Sequence, residues 1–208
     1  MKDLIIASII LALFFSTGAL AAIMPLSFSG QNYQTRVKSI KELKEENCVL
    51  QTDEFTCGAA ALATILRDFG DETVTEAVLL QQEKELEKGQ GISVLQLQKL
   101  AAKRGFKASG YKMDLLNLYS FKRPMIMHVA IGPSKEGHYF VFRGIYKDRI
   151  YLKDPAQGNI RMSLEEFAKI WTGIVLAIEE KNDKLLTNVF DPPEMAQPEL
   201  LTVGANNR

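Results

Sequence analysis

Gln51-Thr52-Asp53-Glu54-Phe55-Thr56-Cys57-Gly58-Ala59-Ala60-Ala61-Leu62-Ala63-Thr64-Ile65-Leu66 starts polar and becomes almost wholly apolar at Cys57. Ala and Leu are strong helix formers, and the pattern predicts a helix from Cys57 to Phe69. Gly70 closes it in the usual C-terminal position. A helix apolar on nearly every side has to be buried. Its first residue is a cysteine. The leading N–H groups of a helix lack intrahelical partners, and the helix dipole places partial positive charge there. Both favour thiolate over thiol, which makes Cys57 a candidate nucleophile. Gly58 beside it allows another backbone or a substrate to approach closely. Taken alone, Cys57 would be read as a small buried helix residue, so the weight falls on its surroundings.

Upstream, Gln51 lies six residues before Cys57, on the loop leading into the helix, where its amide could donate to a developing oxyanion. Val49 and Leu50 form a short extended lead-in. Downstream, a second helix is expected from Thr75 to Glu87, ending before Gly89 and Gly91. Ser93 caps a third, Val94 to Arg104, with Leu95, Leu97 and Leu100 among its apolar positions. Gly105 ends it, and Asp114 to Tyr119 suggests a short helical turn. After Lys122 the pattern changes to strands. Pro124 to Ile131 is an apolar run, His138 to Ile145 is rich in aromatic and β-branched residues, and Arg149 to Asp154 alternates polar and apolar. Lys147-Asp148 supplies a tight turn between the last two. Ser163 with Glu166 is a capping-box pair for a helix through Lys169, and Trp171 to Ile178 returns as a final strand. Helices first and strands second define an α+β fold, with N-terminal helices packed on a C-terminal antiparallel sheet.

Only two histidines occur. His138 opens a strand after a Gly-containing loop, where its ring can protrude at a sheet edge. His128 sits inside an apolar run and is expected to be a satisfied core histidine. Asp154 ends the strand after that of His138 and precedes Pro155. Neighbouring antiparallel strands can set His138 and Asp154 side by side, and an acid there holds an imidazole in one tautomer, as a general base needs. By itself, Asp154 before Pro155 would be a turn-former.

The 208 residues, 47% of them apolar, suffice for one globular core and not for two large domains. The 25 basic residues equal the 25 acidic ones, so no global field draws in nucleic acid, and no nucleic-acid partner is expected. Lys2, the apolar run Leu4 to Phe15 and the small-x-small Ala19-Leu20-Ala21 read as a secretory signal peptide over 1–21. The run is about half the ~20 residues a spanning helix needs, so membrane attachment is expected only if the segment stays uncleaved. The expected organisation continues with a leader over 22–46, the working domain over 47–181, and a Pro-containing C-terminal tail over 182–208. Cys48 and Cys57 could pair in an oxidising compartment; the setting of Cys57 argues against that, and Cys48 is expected to be a structural strand residue. No zinc-like spacing of Cys and His occurs, and no glycine-rich phosphate loop, so neither metal nor cofactor is expected.

Gln51-x-Asp53-x-x-x-Cys57-Gly58-x-Ala60-Ala61-Leu62 resembles the active-site segment of the double-glycine leader peptidases, the papain-like cysteine peptidases known as N-terminal domains of bacteriocin exporters. The likeness continues through Gly91-Ile92-Ser93, Gly110-Tyr111-Lys112, Gly137-His138-Tyr139-Phe140-Val141, Asp154-Pro155-Ala156, Glu166-Phe167 and Trp171-Thr172-Gly173, spanning roughly residues 48 to 178 in order. The resemblance implies a papain-like fold with Cys57 as nucleophile, His138 as base, Asp154 as orienting acid and Gln51 as oxyanion donor. It also implies cleavage after small residues, often Gly-Gly. One departure is Thr56, where family members commonly carry Asp.

Exporter-borne members act on the cytosolic side, whereas this chain opens with an export signal and no transporter domain follows. It is therefore expected to be a free-standing periplasmic member, similar to the peptidases encoded with Pseudomonas-type functional amyloid secretion systems. The expected substrate is an exported polypeptide, with an amyloid subunit or a secretion-system component as the narrower options. The alternative is a non-catalytic peptide-binding module of the same fold, which retention of Cys57 disfavours. A cell-wall amidase would share the Cys–His logic, but no motif matches it.

Overall fold

The computed structural model describes residues 38–83, 89–121 and 123–179, together with the backbone of 23–28 and 31–36. The expected signal peptide and C-terminal tail lie outside the described residues. The chain divides into two compact units at Lys41/Glu42. In the first, β1 (Ile23–Phe28) and β2 (Gln31–Arg36) pair antiparallel, Ile23 opposite Arg36. The leader read over 22–46 shows no sustained period, because the polar run Gln31-Asn32 and Gln34-Thr35 hides any period-two signal. Helix α1 follows over Ile40–Glu45.

The second unit is built around α2, Cys57–Asp68, in which Ala59 to Ala63, Ile65 and Leu66 are fully excluded from solvent. Gly70 adopts φ +89°, the left-handed conformation that lets the chain leave the helix. α3 spans Glu76–Gln82, capped by the Thr75 hydroxyl accepting from the Val78 N–H. It is shorter than expected, because Glu83 is already extended; residues 84–88 lie outside the described residues. α4, Val94–Lys103, begins with a full Ser93/Gln96 capping box.

Then come β3 (Lys107–Lys112), one 3₁₀ turn (Leu115–Tyr119), β4 (Met125–Ile131), β5 (Glu136–Tyr146), β6 (Arg149–Asp154), β7 (Gly158–Ser163), α5 (Leu164–Ile170) and β8 (Trp171–Glu179). The six strands form one antiparallel sheet in the order β3-β8-β4-β5-β6-β7. Lys147-Asp148 is the two-residue turn between β5 and β6, with Lys147 at φ +54°.

Strand alternation splits the core across this sheet. Ile126, Tyr139, Val141, Leu176 and Ile178 face α2, α3 and α4, while Met127, Val129, Phe140, Phe142 and Leu152 face Phe167 of α5 and Leu118 of the 3₁₀ turn. The α+β class read from the sequence is what forms. Two strands went unforeseen, β3 and β7, and both are sheet edges. Lys-Ala-Ser-Gly-Tyr-Lys and Gly-Asn-Ile-Arg-Met-Ser have little strand propensity. Each is a strand because an interior neighbour offers it a ladder.

Candidate active site

Thr56 precedes α2 but does not cap it. Its hydroxyl donates to the Asp53 carbonyl at 2.9 Å and accepts from the Asp53 N–H at 3.2 Å. The hydroxyl is spent on the preceding loop, so no side chain competes for the first N–H groups of the helix. This is what Thr56 does at the position where the sequence departs from the expected family pattern.

The same loop is pinned on both sides. The Gln51 N–H donates to the Pro155 carbonyl at 2.8 Å, and the Thr52 N–H donates to Oε1 of the buried Glu76 at 2.9 Å. The Gln51 amide itself donates from Nε2 to the Asp53 carbonyl at 3.0 Å, which occupies one of its two hydrogens. Its Oε1 is buried without a hydrogen-bond partner.

His138 and Asp154 approach as the strand reading expected, and the register explains how. Val141 of β5 pairs with Lys153 of β6, so Asp154 lies diagonal to His138 on one face, with Phe140 beside both. The His138 ring stands edge-on to Phe140, centroids 5.1 Å apart. His138 Nε2 lies 2.8 Å from Asp154 Oδ1, with both side chains buried. Asp154 is itself held: Oδ1 accepts from the Ala156 N–H at 2.8 Å and Oδ2 from the Gln157 amide at 3.1 Å.

Burial by itself would lower the His138 pKa. Hydrogen bonds to Asp154 and Cys57, and the negative charge of both, outweigh it and raise the value from 6.5 to about 9. With Nε2 engaged by Asp154, the other ring nitrogen is left to face Cys57.

Tyr139 wedges between β5 and the start of α2. A β-carbon on Gly58 would stand 3.2 Å from Tyr139 Cδ2, so the close approach expected of Gly58 is made by this ring. Burial, and secondarily the Cys57 charge, push the Tyr139 phenol up to about 12; it is a neutral wall. Gln51, Cys57, His138 and Asp154 all line one cleft of about 630 Å³, together with Phe55, Gly91, Ile92 and Gln157. The four residues singled out in the sequence therefore meet.

Two expectations change. His128 is not in the core: it is half-buried, lines this cleft, and bonds Thr172. Its strand neighbours suggested burial, but His128 sits mid-strand where the pairing of β4 with β8 breaks register between Met127 and Val129. Cys48 is not in a strand, and both cysteines are free. The Val49 N–H donates to Thr64 Oγ1 at 2.9 Å, which places Cys48 two helical turns, roughly 10 Å, along α2 from Cys57. A disulfide cannot span that distance. Burial pushes the Cys48 thiol up to about 11.

Sequence reading missed Gln157, which steadies Asp154, and Lys153. The Lys153 ammonium, 1% exposed, donates to both carboxylate oxygens of Asp68 at 3.1 and 2.8 Å, joining β6 to the far end of α2. Gln157 sits three residues past Asp154, a spacing that could have flagged it. Lys153 carried no signal, since a lysine in an alternating strand reads as solvent-facing.

A helix-borne cysteine meeting a buried His–Asp pair from an antiparallel sheet defines the papain-like cysteine peptidases. The chain belongs to the Peptidase C39 family, whose profile matches residues 45–183, and it is a cysteine peptidase. It is 36% identical over 163 residues to the "Probable functional amyloid protease FapD" of Pseudomonas fluorescens, covering 76% of this chain and 71% of that protein. It is 33% identical over 199 residues to the protein of the same description from Pseudomonas aeruginosa, covering 91% and 85%. Among solved structures, it is similar to the peptidase domain of Streptococcus ComA, a bi-functional ABC transporter (TM-score 0.58, 29% identity, 64% of this chain and 98% of that one). It is also similar to a double glycine motif protease from an AMS/PCAT transporter in complex with the leader peptide (TM-score 0.52, 26% identity, 64% and 90%).

Proposed function

We propose that Cys57 is the nucleophile of this peptidase, His138 its proton-transfer partner, Asp154 the group that orients His138, and Gln51 an oxyanion donor. The observation that carries the reading is the buried 2.8 Å His138–Asp154 bond in the cleft that Cys57 lines at the uncapped start of α2. The Cys57 sulfur attacks a peptide carbonyl, and the C=O electron pair moves to oxygen. The remaining Gln51 Nε2 hydrogen and the N–H groups at the start of α2 stabilise that charge. As the tetrahedral species collapses, the C–N bond breaks and imidazolium His138 gives its proton to the leaving amine. Water, deprotonated by His138, then attacks the thioester, and the acid product leaves with Cys57 restored.

The substrate proposed is an exported polypeptide cut after small residues, within a functional amyloid secretion system. The FapD-described relatives support the setting, and the leader-peptide complex of a related protease supports a polypeptide ligand. The chain would act in the periplasm after export through residues 1–21, with 47–181 as the working domain and 182–208 as a tail.

The test is turnover of internally quenched peptides carrying Gly-Gly at the cut site. Cleavage by the wild type and none by folded Cys57→Ala or His138→Ala is the expected result. Cleavage by Cys57→Ala at the wild-type rate would overturn the assignment. Binding without cleavage by the wild type would favour a peptide-binding module.

A further inference from the structure

The second histidine of the cleft has its tautomer determined by its neighbours. Thr172 Oγ1 lies 2.7 Å from the His128 carbonyl oxygen and 3.0 Å from His128 Nδ1. A carbonyl can only accept, so the single hydroxyl proton of Thr172 goes there. The bond to Nδ1 must then be donated by the ring, as Nδ1–H. Burial, and then the nearby His138, hold the His128 pKa below 6.5, which leaves Nε2 unprotonated at neutral pH with a lone pair to offer.

Nε2 lies against Gly137, and both residues line the cleft. Among the described residues nothing bonds Nε2. A β-carbon on Gly137 would stand 2.8 Å from it, so Gly137 is what leaves the ring its place. The ring is further held edge-on to Tyr139, centroids 5.2 Å apart. His128 is thus a rigid acceptor on the wall that also carries His138 and Cys57. Gln51 and the start of α2 offer donors, which suit the carbonyl groups of a bound chain. An extended peptide also brings N–H groups, and these need acceptors when they leave water.

We infer that His128 Nε2 accepts a hydrogen bond from a main-chain N–H of the bound polypeptide and so positions it beside Cys57. This rests on the reading of the cleft as the peptide-cleaving site. Such a bond is made in ground and transition states alike, and its loss should appear in KM rather than kcat. Because the acceptor is held on a strand, little ordering is needed when the peptide arrives.

Two substitutions separate this role from a structural one. In His128→Asn the amide nitrogen takes the place of Nδ1 and keeps the Thr172 bond, but nothing occupies the Nε2 position. In His128→Gln the amide oxygen can restore an acceptor there. With an internally quenched Gly-Gly peptide, His128→Asn is expected to raise KM about three- to tenfold. Its kcat should stay within about twofold and the pH profile of Cys57 alkylation should not move; His128→Gln should recover most of the KM.

A series of the same peptide with each amide in turn replaced by an ester locates the bond. One ester should raise KM for the wild type and leave KM unchanged for His128→Asn. A fall in kcat with KM unchanged, or an ester series that affects wild type and His128→Asn equally at every position, would overturn the inference. If His128→Asn fails to fold, Thr172→Val, which removes the group fixing the tautomer, should raise KM in the same sense, and an unchanged KM there overturns the inference equally. Cleavage by Cys57→Ala would instead sink the reading of the site. An inactive Cys57→Ala beside a wild-type-like His128→Asn would sink only the role of His128.

Discussion

The ring of Tyr139 lies against Gly58 so closely that a β-carbon there would stand 3.2 Å from Cδ2, with Leu97 Cδ2 at 3.4 Å. This contact sets how far β5 stands from the start of α2, and His138 is the residue next to Tyr139. The spacing of thiol and imidazole therefore depends on a missing side chain. Gly58→Val should overpack the junction, costing about 1–3 kcal/mol. It should lower kcat/KM by at least tenfold, because small misplacements of reacting groups are expensive. Denaturant melts paired with peptide turnover check this. Loss of stability with full activity would show that the contact packs the fold without setting the site.

The two cysteines should differ sharply in reactivity. Cys57 lines an open cleft together with His138, whereas burial drives the Cys48 thiol up to about 11. Iodoacetamide near neutral pH is expected to label Cys57 first and Cys48 only after unfolding, read as separate peptide adducts by mass spectrometry. His138→Ala should slow Cys57 labelling and leave Cys48 unchanged. Equal rates at the two cysteines would contradict an activated Cys57.

Stability should fall at alkaline pH. The folded His138 pKa, about 9, lies above its unfolded value near 6.5, so the folded state holds the proton more tightly. The resulting contribution is fully present below pH ~6.5 and disappears as pH rises through ~9. Its full size is on the order of 3 kcal/mol. Thermal melts across this range should show a decline that His138→Gln flattens; an unchanged slope in that variant would assign the decline to other groups.

Lys153, fully buried, is paired with the half-buried Asp68, with Arg143 Nη1 3.9 Å from the same carboxylate. Removing one partner of such a pair typically costs about 3–5 kcal/mol, because the other charge is left buried. Asp68→Asn, which strands the buried Lys153 ammonium, should be strongly destabilising, and Lys153→Met added to it should recover much of the loss. Additive effects in that double-mutant cycle would mean the two charges do not depend on each other.

Legibility differed from element to element, for identifiable reasons. α2, α4 and α5 could be placed from their caps and apolar runs, because capping and propensity are local interactions. The edge strands β3 and β7 could not, since their sequences carry no strand preference apart from the neighbour that pairs with them. His128 looked like core because β4 is apolar around it; a break in the pairing of β4 with β8 falls at that residue, and composition does not signal it.

The sequence by itself determined that a buried helix begins at Cys57, that His138 and Asp154 sit at the start and end of successive strands, and that the whole is α+β. Those features follow from periodicity, capping and turn chemistry within short windows. Only the tertiary structure decided that Thr56 leaves the helix start uncapped, that Tyr139 rests on Gly58, that Lys153 is buried against Asp68, and that Thr172 fixes the tautomer of a cleft-lining His128. Each of these depends on groups far apart in the chain meeting at hydrogen-bonding or van der Waals distance, and such meetings leave no local pattern to read.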